Sequence, residues 1–191
     1  MKPQITFTNT LLNFGDYLKY SKIFIETGTC HGRTVQVALD HGYNEVHSVE
    51  VYEPFFKMCQ DKFANDNRVW LYFGKSDAQL KNMLEHTKGP CVIFLDAHPA
   101  GPNTGGHDDL IEKGDKSKFH QDSILRAELE IILSHRKDHV IIIDDQNGLN
   151  PISQAHIDQI FAANPAYKFY FHNEGVGEHF YENKSVVCVV E

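Results

Sequence analysis

The sequence lacks the features that mark secreted and membrane-spanning proteins. It has only four cysteines in 191 residues, and no two of them form a C-x-x-C pair. Reduced thiols, three of them in apolar segments, are typical of a cytosolic protein. No apolar run approaches the roughly 18 residues of a membrane span, and no charged and then apolar leader opens the chain. We therefore expect a soluble, cytoplasmic protein that is not secreted and has no membrane partner.

Basic residues are also scarce. The chain has 18 Lys and Arg against 26 Asp and Glu, a net charge of −8. An acidic chain without a basic cluster is a poor match for a phosphate backbone, so we expect no nucleic-acid partner. The length fits one domain, and an apolar content of 41% is sufficient for a core. We predict a single domain over residues 1–191, in which residues 1–22 form an N-terminal cap.

The most informative stretch runs from Ile23 to Thr34. Its first three residues are apolar and suit a buried strand, and the run that begins at Val35 has the spacing of a helix with one buried stripe. Between them, Gly28 and Gly32 allow a sharp turn or a close approach to a ligand. A strand, a glycine-containing turn and a helix N-terminus together form a cradle for a polar ligand. The stretch predicts the nucleotide-binding corner of a doubly wound α/β sheet.

The rest of the chain alternates between strand and helix patterns. Further strands are predicted over Glu45–Val51, Val69–Phe73, Cys91–Leu95, His139–Ile143, Tyr167–His172 and Ser185–Val190. The last two have no room for a helix between them, which predicts an antiparallel hairpin at the sheet edge. Near the N-terminus, the spacing of Leu11, Phe14 and Leu18 predicts a short helix that packs on the sheet edge or over the ligand. Residues 99–121 have no clear period, and a loop of that length predicts an active-site lid.

Acidic residues lie at the carboxyl ends of four predicted strands: Glu26, Glu50, Asp96, Asp144 and Asp145. Ligands in open α/β sheets bind beyond the carboxyl ends of the strands. So many carboxylates at one edge repel one another unless cations lie among them. Glu50 comes about 20 residues after Gly28, where such folds bind a ribose hydroxyl pair; an exposed acid at a strand end is the alternative.

Three of these acids have the chemistry of a metal site. Asp96 follows one predicted strand and the pair Asp144–Asp145 follows the next. Ligation by oxygen atoms suits Mg²⁺ or Mn²⁺. The alternative is that these aspartates cap the loops or helices that follow.

The turn departs from the dinucleotide fingerprint, because Cys30 stands where that motif has its middle glycine. The pattern Glu26-x-Gly28-x-x-x-Gly32 resembles motif I of class I S-adenosylmethionine (SAM) dependent methyltransferases, and especially the macrocin O-methyltransferase family, which methylates sugar hydroxyls. The segments L-D-A-H, E-L-E-I-I-L and V-I-I-I-D-D are similar to small methyltransferase-like proteins associated with surface polysaccharides. The resemblance implies an α/β, Rossmann-like fold: a mostly parallel seven-stranded sheet with an antiparallel C-terminal strand and helices on both faces.

The resemblance also implies roles for individual residues. SAM is expected to contact Glu26, Gly28, Thr29, Gly32, Thr34, Glu50, Ser76, Asp77 and Asp96. Ser76 and Asp77 match the adenine edge, although both are also common helix N-caps. Asp96, Asp144 and Asp145 match the metal ligands of metal-dependent O-methyltransferases.

The predicted catalytic residues are Asp96 and His98. His98 is the first choice for the base that removes the acceptor proton, with His107 and His120 as rivals. Macrocin-type sequences usually have two residues between this Asp and the following His, whereas only Ala97 intervenes here.

The expected acceptor is a sugar or glycan hydroxyl, in particular that of a deoxyhexose such as rhamnose. A catechol-like or other small diol is an alternative acceptor, because it would chelate the same metal. A SAM-binding module without catalysis and a nicotinamide oxidoreductase are alternatives of other classes. The oligomeric state is open, and a homodimer is compatible with the sequence.

Overall fold

Strands and helices alternate along most of the chain. The structure is a computed structural model that describes residues 2–97, 121–144, 146, 152–176 and 179–191. The strands are β1 (Gln4–Leu11), β2 (Ile23–Thr27), β3 (Glu45–Glu50), β4 (Val69–Phe73), β5 (Val92–Leu95), β6 (Val140–Ile143), β7 (Tyr167–Val176) and β8 (His179–Val190). The helices are α1 (Arg33–His41), α2 (Glu53–Lys62), α3 (Ser76–His86), α4 (Gln121–His135) and α5 (Gln154–Ala163), and a 3₁₀ helix spans Phe14–Tyr17.

The eight strands form one sheet in the order β1-β7-β8-β6-β5-β2-β3-β4. β8 runs antiparallel to β6 and β7, and all other neighbours are parallel. The chain builds outward from β2 to β3 and β4, and then crosses to β5 on the other side of β2. The point between β2 and β5 is thus a topological switch point, where ligands bind in open α/β sheets. This confirms the predicted mostly parallel sheet with an antiparallel C-terminal strand.

Two apolar layers cover the two faces of the sheet. On one face, α3, α4 and α5 pack through Leu80, Leu129 and Ile157 among others. On the other, α1 and α2 pack through residues that include Val35 and Cys59. The central strands β5 and β6 are buried along their whole length, as expected for apolar runs covered on both faces.

Local sequence explains where α1 ends and where α2 begins. α1 begins after Gly32 and ends at Gly42, which has φ 99° and is therefore in the left-handed region that favours glycine. Pro54 lies in the first turn of α2, where its missing N–H costs nothing. Both ends follow from local sequence alone.

The prediction of seven strands was wrong, because the described residues form eight, and the predicted short N-terminal helix is present as the 3₁₀ helix Phe14–Tyr17. Residues 4–11 form an additional edge strand that pairs in parallel with β7, from Gln4 opposite Lys168 to Phe7 opposite Phe171. The rings of Phe7 and Phe171 stack at 4.9 Å, which helps to hold β1 at the edge. The helical spacing of Leu11, Phe14 and Leu18 produces only the 3₁₀ turn. The predicted cap over residues 1–22 therefore contains the eighth strand.

The final hairpin is longer than predicted. β7 extends past His172 to Val176, and β8 already begins at His179. Glu174 pairs with Tyr181 and Val176 with His179, so most of the expected loop is sheet.

The predicted lid lies almost entirely outside the described residues. Of residues 99–121, only Gln121 is described, as the first residue of α4. The lid therefore stays a prediction. In the part of the chain that the structure describes, no helix is long and apolar enough to cross a membrane.

Candidate functional site

The turn between β2 and α1 has a geometry that requires glycine at two positions. Gly28 has φ 92° and Gly32 has φ 66°. A Cβ on Gly28 would lie 2.8 Å from the carbonyl oxygen of Asp96, and one on Gly32 would lie 2.6 Å from the ring of Phe63. Both positions therefore exclude larger residues through backbone conformation and through space. The turn predicted from Gly28 and Gly32 is confirmed.

Backbone hydrogen bonds tie this turn to the neighbouring strand. The N–H groups of Gly28 and Thr29 both donate to the carbonyl oxygen of Val49, at 3.0 and 3.1 Å. The N–H of Gly32 donates to the carbonyl oxygen of Thr29 at 2.8 Å. The turn is thus a closed loop whose position is set by the end of β3.

Cys30 occupies an unusual conformation at the tip of the turn. Its φ is 49°, the only positive φ of a non-glycine residue in the described part of the chain. Residues other than glycine rarely adopt this left-handed backbone conformation, because it brings Cβ close to the backbone. The Cys30 side chain is exposed. Such a backbone persists where its surroundings hold it in place, which is common at ligand sites.

Glu50 is one of the groups that hold it. Its Oε2 accepts a hydrogen bond from the N–H of Cys30 at 2.7 Å, and its Oε1 accepts one from the N–H of Tyr52, also at 2.7 Å. The side chain is buried, at 5% exposure. Glu50 therefore lies at the end of β3 beside the turn, as predicted. A carboxylate oxygen can accept more than one hydrogen bond, so Glu50 could also bind the ribose while it keeps these two bonds. The ribose contact stays a prediction.

Glu26 lies beneath the turn and is fully buried, at 1% exposure. Its Oε2 accepts from Ser48 Oγ at 2.6 Å, and Ser48 Oγ in turn contacts Thr29 Oγ1 at 2.6 Å. Burial raises the pKa of Glu26 to about 8; the nearby carboxylate of Asp96 also raises it, against hydrogen bonds from Ser48 and Thr34 that lower it. At neutral pH this carboxyl is mostly protonated. Glu26 thus joins the predicted contacts Thr29 and Thr34 in one polar network that supports the turn from inside.

Ser76 and Asp77 form the first turn of α3, at the same edge of the sheet. The N-cap position is occupied by Lys75, which makes no side-chain cap bond. The alternative role of Ser76 or Asp77 as the N-cap is therefore wrong. Ser76 is half-buried and Asp77 is exposed, and the adenine contact expected of them stays a prediction.

Sequence reasoning missed Glu128, a second buried carboxyl near this edge. It lies on α4 at 2% exposure and makes side-chain hydrogen bonds with Ser76 and Thr27. Burial raises its pKa to about 7. Among the described residues, its Oε1 has no hydrogen-bond partner. The available signal was its spacing, because Glu128 falls within the apolar stripe of α4 that includes Leu125 and Leu129.

Asp96 and Asp144 follow two neighbouring strands, as predicted. The N–H of Asp96 donates to the carbonyl oxygen of Thr27 at 3.2 Å, and the N–H of Asp144 donates to that of Leu95 at 3.2 Å. These bonds place the two aspartates side by side at the carboxyl edge, with Asp96 next to the glycine turn. Both belong to the set of acids predicted to surround the ligand.

The Asp144 carboxylate is buried and already has partners on β8. Its Oδ1 accepts from Ser185 Oγ at 2.8 Å, and its Oδ2 lies 3.8 Å from Lys184 Nζ. Sequence reasoning missed both, although an antiparallel last strand necessarily begins at this edge. Among the described residues, no group of three or more His, Cys, Asp or Glu side chains is arranged to hold a metal ion. Asp145 and the predicted base His98, with its rivals His107 and His120, lie outside those residues.

Comparison with solved structures identifies the fold. The chain is similar to the methyltransferase domain of bacterial CtHen1-C, with 11% identity, a TM-score of 0.57 and 92% of each chain covered. It is similar to a Podospora anserina methyltransferase with bound S-adenosylhomocysteine (SAH), with 13% identity, a TM-score of 0.52, and 89% of this chain and 72% of that one covered. It is also similar to a candidate caffeoyl-CoA O-methyltransferase from Staphylococcus aureus, with 14% identity, a TM-score of 0.50, and 88% and 75% covered.

No protein-family model and no curated protein matches the sequence. At such low identities the structural likenesses define the fold alone. The chain has a Rossmann-like, class I methyltransferase fold, with eight strands in the described residues, and what this fold does here depends on the site described above.

Proposed function

We propose that the protein is a SAM-dependent methyltransferase that binds SAM over the turn from Gly28 to Gly32, with Glu50 on the ribose. The observation that carries this proposal is the turn itself. Two positions admit only glycine, the tip is held in a left-handed conformation, and a buried carboxylate closes it at the end of β3. The similar Podospora anserina methyltransferase is bound to SAH, which supports SAM as the ligand of this fold.

Electrostatics favour SAM over a dinucleotide. Glu50 and Asp96 both lie near Cys30 of the turn, and carboxylates near one another favour a cationic ligand. The sulfonium of SAM is positive, whereas the pyrophosphate of a dinucleotide is negative. In dinucleotide sites, moreover, the middle glycine lets the pyrophosphate approach the backbone, and here that position carries the side chain of Cys30.

We further propose transfer of the methyl group to oxygen. In that step the acceptor oxygen bonds to the methyl carbon, the bond from carbon to sulfur breaks, and its electron pair leaves with SAH. The acceptor hydroxyl gives up its proton to a base, for which His98 is the predicted group. Much of the acceleration would come from holding donor and acceptor in line, which is the contribution that a rigid turn can make.

The acceptor we propose is a sugar or glycan hydroxyl, with deoxyhexoses such as rhamnose to be tested first. This choice follows only from the resemblance of the segments L-D-A-H, E-L-E-I-I-L and V-I-I-I-D-D to methyltransferase-like proteins associated with surface polysaccharides. A sugar hydroxyl is a very weak acid, so its methylation benefits from a group that lowers its pKa and orients it.

A divalent cation, Mg²⁺ or Mn²⁺, is the proposed group, held by Asp96, Asp144 and Asp145. The two described members fit such an ion in ligand type and position, because their carboxylates follow adjacent strands beside the glycine turn. When bound, the ion would polarise the acceptor hydroxyl. Lys184 Nζ lies 3.8 Å from Asp144 Oδ2, so the lysine and the metal ion would both interact with the Asp144 carboxylate.

A catechol-like diol is the second candidate acceptor. The observation in its favour is the fold similarity to the candidate caffeoyl-CoA O-methyltransferase. A vicinal diol places two oxygens where the same metal could bind both. The alternative of a SAM-binding module without catalysis predicts binding of SAM but no product.

One experiment separates these candidates. The protein is incubated with SAM and panels of deoxysugar glycosides, other sugars and catechols, each with Mg²⁺, Mn²⁺ or a chelator. Mass spectrometry then detects an acceptor that has gained one methyl group. Methylated deoxysugars support the proposal, methylated catechols support the second candidate, and tight SAM binding without any product supports the non-catalytic module.

A further inference from the structure

The last turn of α2 contacts the glycine turn from behind. Lys62 Nζ donates to the carbonyl oxygen of His31 at 3.1 Å and to that of Gly32 at 2.9 Å. The Sγ of Cys59, one helical turn earlier, donates to the carbonyl oxygen of Cys30 at 3.3 Å. Three consecutive carbonyl groups of the turn are thus bound by side chains of one helix.

This arrangement orients the peptide groups of the turn. In a planar trans peptide, the N–H points roughly opposite to the C=O of the preceding residue. With the carbonyls of Cys30 and Gly32 directed at α2, the N–H groups of His31 and Arg33 point away from α2. That is the direction in which an N-terminal turn presents donors to a ligand.

We propose that Lys62 is a positioning residue for the cofactor: it presets the turn so that these backbone N–H groups face the bound SAM. The inference rests on the proposed function, since it assumes that SAM is the ligand of this turn. Lys62 would act through the backbone, without touching the cofactor.

Two observations indicate that the effect falls on ligand binding more than on folding. Lys62 is exposed, so its ammonium group would be well hydrated without these bonds, and exposed polar contacts add little to stability. The turn that it holds, by contrast, includes the strained backbone of Cys30 at φ 49°. Without the hydrogen bonds from Lys62, the turn would sample more conformations. The entropy lost when the ligand orders the turn would then be larger, which lowers the affinity.

The test compares four proteins: wild type, Lys62→Met, Lys62→Arg and the control Lys57→Met. Methionine keeps an apolar stem beside the ring of Phe63, over which the ammonium lies at 4.9 Å. Lys57 is an exposed lysine on the same helix that pairs only with Glu53 among the described residues. Calorimetric titration with SAH gives the dissociation constant, thermal melting gives stability, and ¹⁵N NMR follows the amides of His31 and Arg33.

We expect Lys62→Met to weaken SAH binding about 3- to 10-fold, as the loss of one or two hydrogen bonds does. The amide signals of the turn should shift, and the melting temperature should change little. Lys62→Arg should recover at least part of the affinity, and Lys57→Met should match wild type in both readouts.

The failures are distinguishable. If wild type does not bind SAH, the proposed function is wrong and this inference falls with it. If wild type binds and Lys62→Met binds equally well, only the inference is overturned. It is also overturned if Lys62→Met lowers the melting temperature in step with affinity and Lys62→Arg restores neither, because the role would then be structural.

Discussion

The Glu50 carboxylate accepts the backbone N–H of Cys30 at 2.7 Å, across the gap between the end of β3 and the turn that follows β2. One acid thereby fixes the only non-glycine residue with positive φ in the described ranges. The same carboxylate reaches the start of α2 through the N–H of Tyr52. Glu50 is therefore a structural part of the turn as well as the proposed ribose ligand.

Replacing Glu50 should weaken SAM binding through both roles. We expect Glu50→Ala to cost about 1–3 kcal/mol of binding free energy, the range for hydrogen bonds to a charged group. Calorimetry with SAM measures it. Glu53→Ala is the matched control, since this exposed acid lies only three residues further along and pairs with Lys57. Equal affinities of the two variants would contradict the role of Glu50.

Gly28→Ala should abolish or strongly reduce SAM binding, by more than about tenfold. The added Cβ would lie 2.8 Å from the Asp96 carbonyl oxygen and would displace the turn. Gly42→Ala is the control, because Gly42 also has positive φ but has nothing within 4 Å of the added atom. It should lose about 1–2 kcal/mol of stability from backbone strain and still bind SAM. SAM binding that survives in Gly28→Ala would mean that the ligand lies elsewhere.

The raised pKa of Glu26 predicts that the stability of the folded protein depends on pH. Its folded pKa of about 8 lies above the ordinary value of 4.5, so below pH 4.5 both folded and unfolded states are protonated. As pH rises from 4.5 toward 8, the unfolded state ionises first. The free energy of unfolding should therefore fall over this window, with a limiting slope of about 1.4 kcal/mol per pH unit.

Denaturant titrations of the ligand-free protein at several pH values measure this slope. Glu26→Gln should reduce it without removing it, because Glu128 also has a raised pKa, of about 7, and contributes with the same sign. An unchanged slope in Glu26→Gln would show that Glu26 is ionised in the folded protein.

The metal proposal predicts that loss of a metal ligand abolishes methyl transfer without weakening the binding of SAM. Asp144→Ala should lose nearly all methyl transfer but keep its affinity for SAM, since Asp144 lies one strand further from the glycine turn than Asp96 does. A chelator should have the same effect on wild type, and added Mg²⁺ or Mn²⁺ should restore only wild type. Normal turnover in chelator would overturn the metal proposal and would leave Asp144 with a structural role, in which it accepts a hydrogen bond from Ser185.

Local patterns were sufficient to predict most of the fold. Buried β-branched runs such as Val140–Ile143 indicated the central strands, and Gly28 and Gly32 indicated where the turn would lie. These features depend on backbone sterics and on burial, and both produce recognisable patterns within a few residues of sequence. The acids at the strand ends followed from the topology, because parallel strands end at one edge.

The features that were missed depend on contacts distant in sequence. β1 is a strand because it pairs with β7, more than 150 residues away, and no strand was predicted over its residues. Lys62, Glu128 and Lys184 reach the site from α2, α4 and β8, and among these three only Glu128 had a local signal, its place in the apolar stripe of α4. Their roles arise from packing, which sequence spacing alone does not reveal.

The most direct test of the central claim is a calorimetric titration of the purified protein with SAH and, separately, with NAD⁺. The account predicts saturable binding of SAH at one site per chain, loss of that binding in Gly28→Ala, and no binding of NAD⁺. Binding of NAD⁺ with no response to SAH would contradict it, and would assign this turn to a dinucleotide despite the side chain of Cys30.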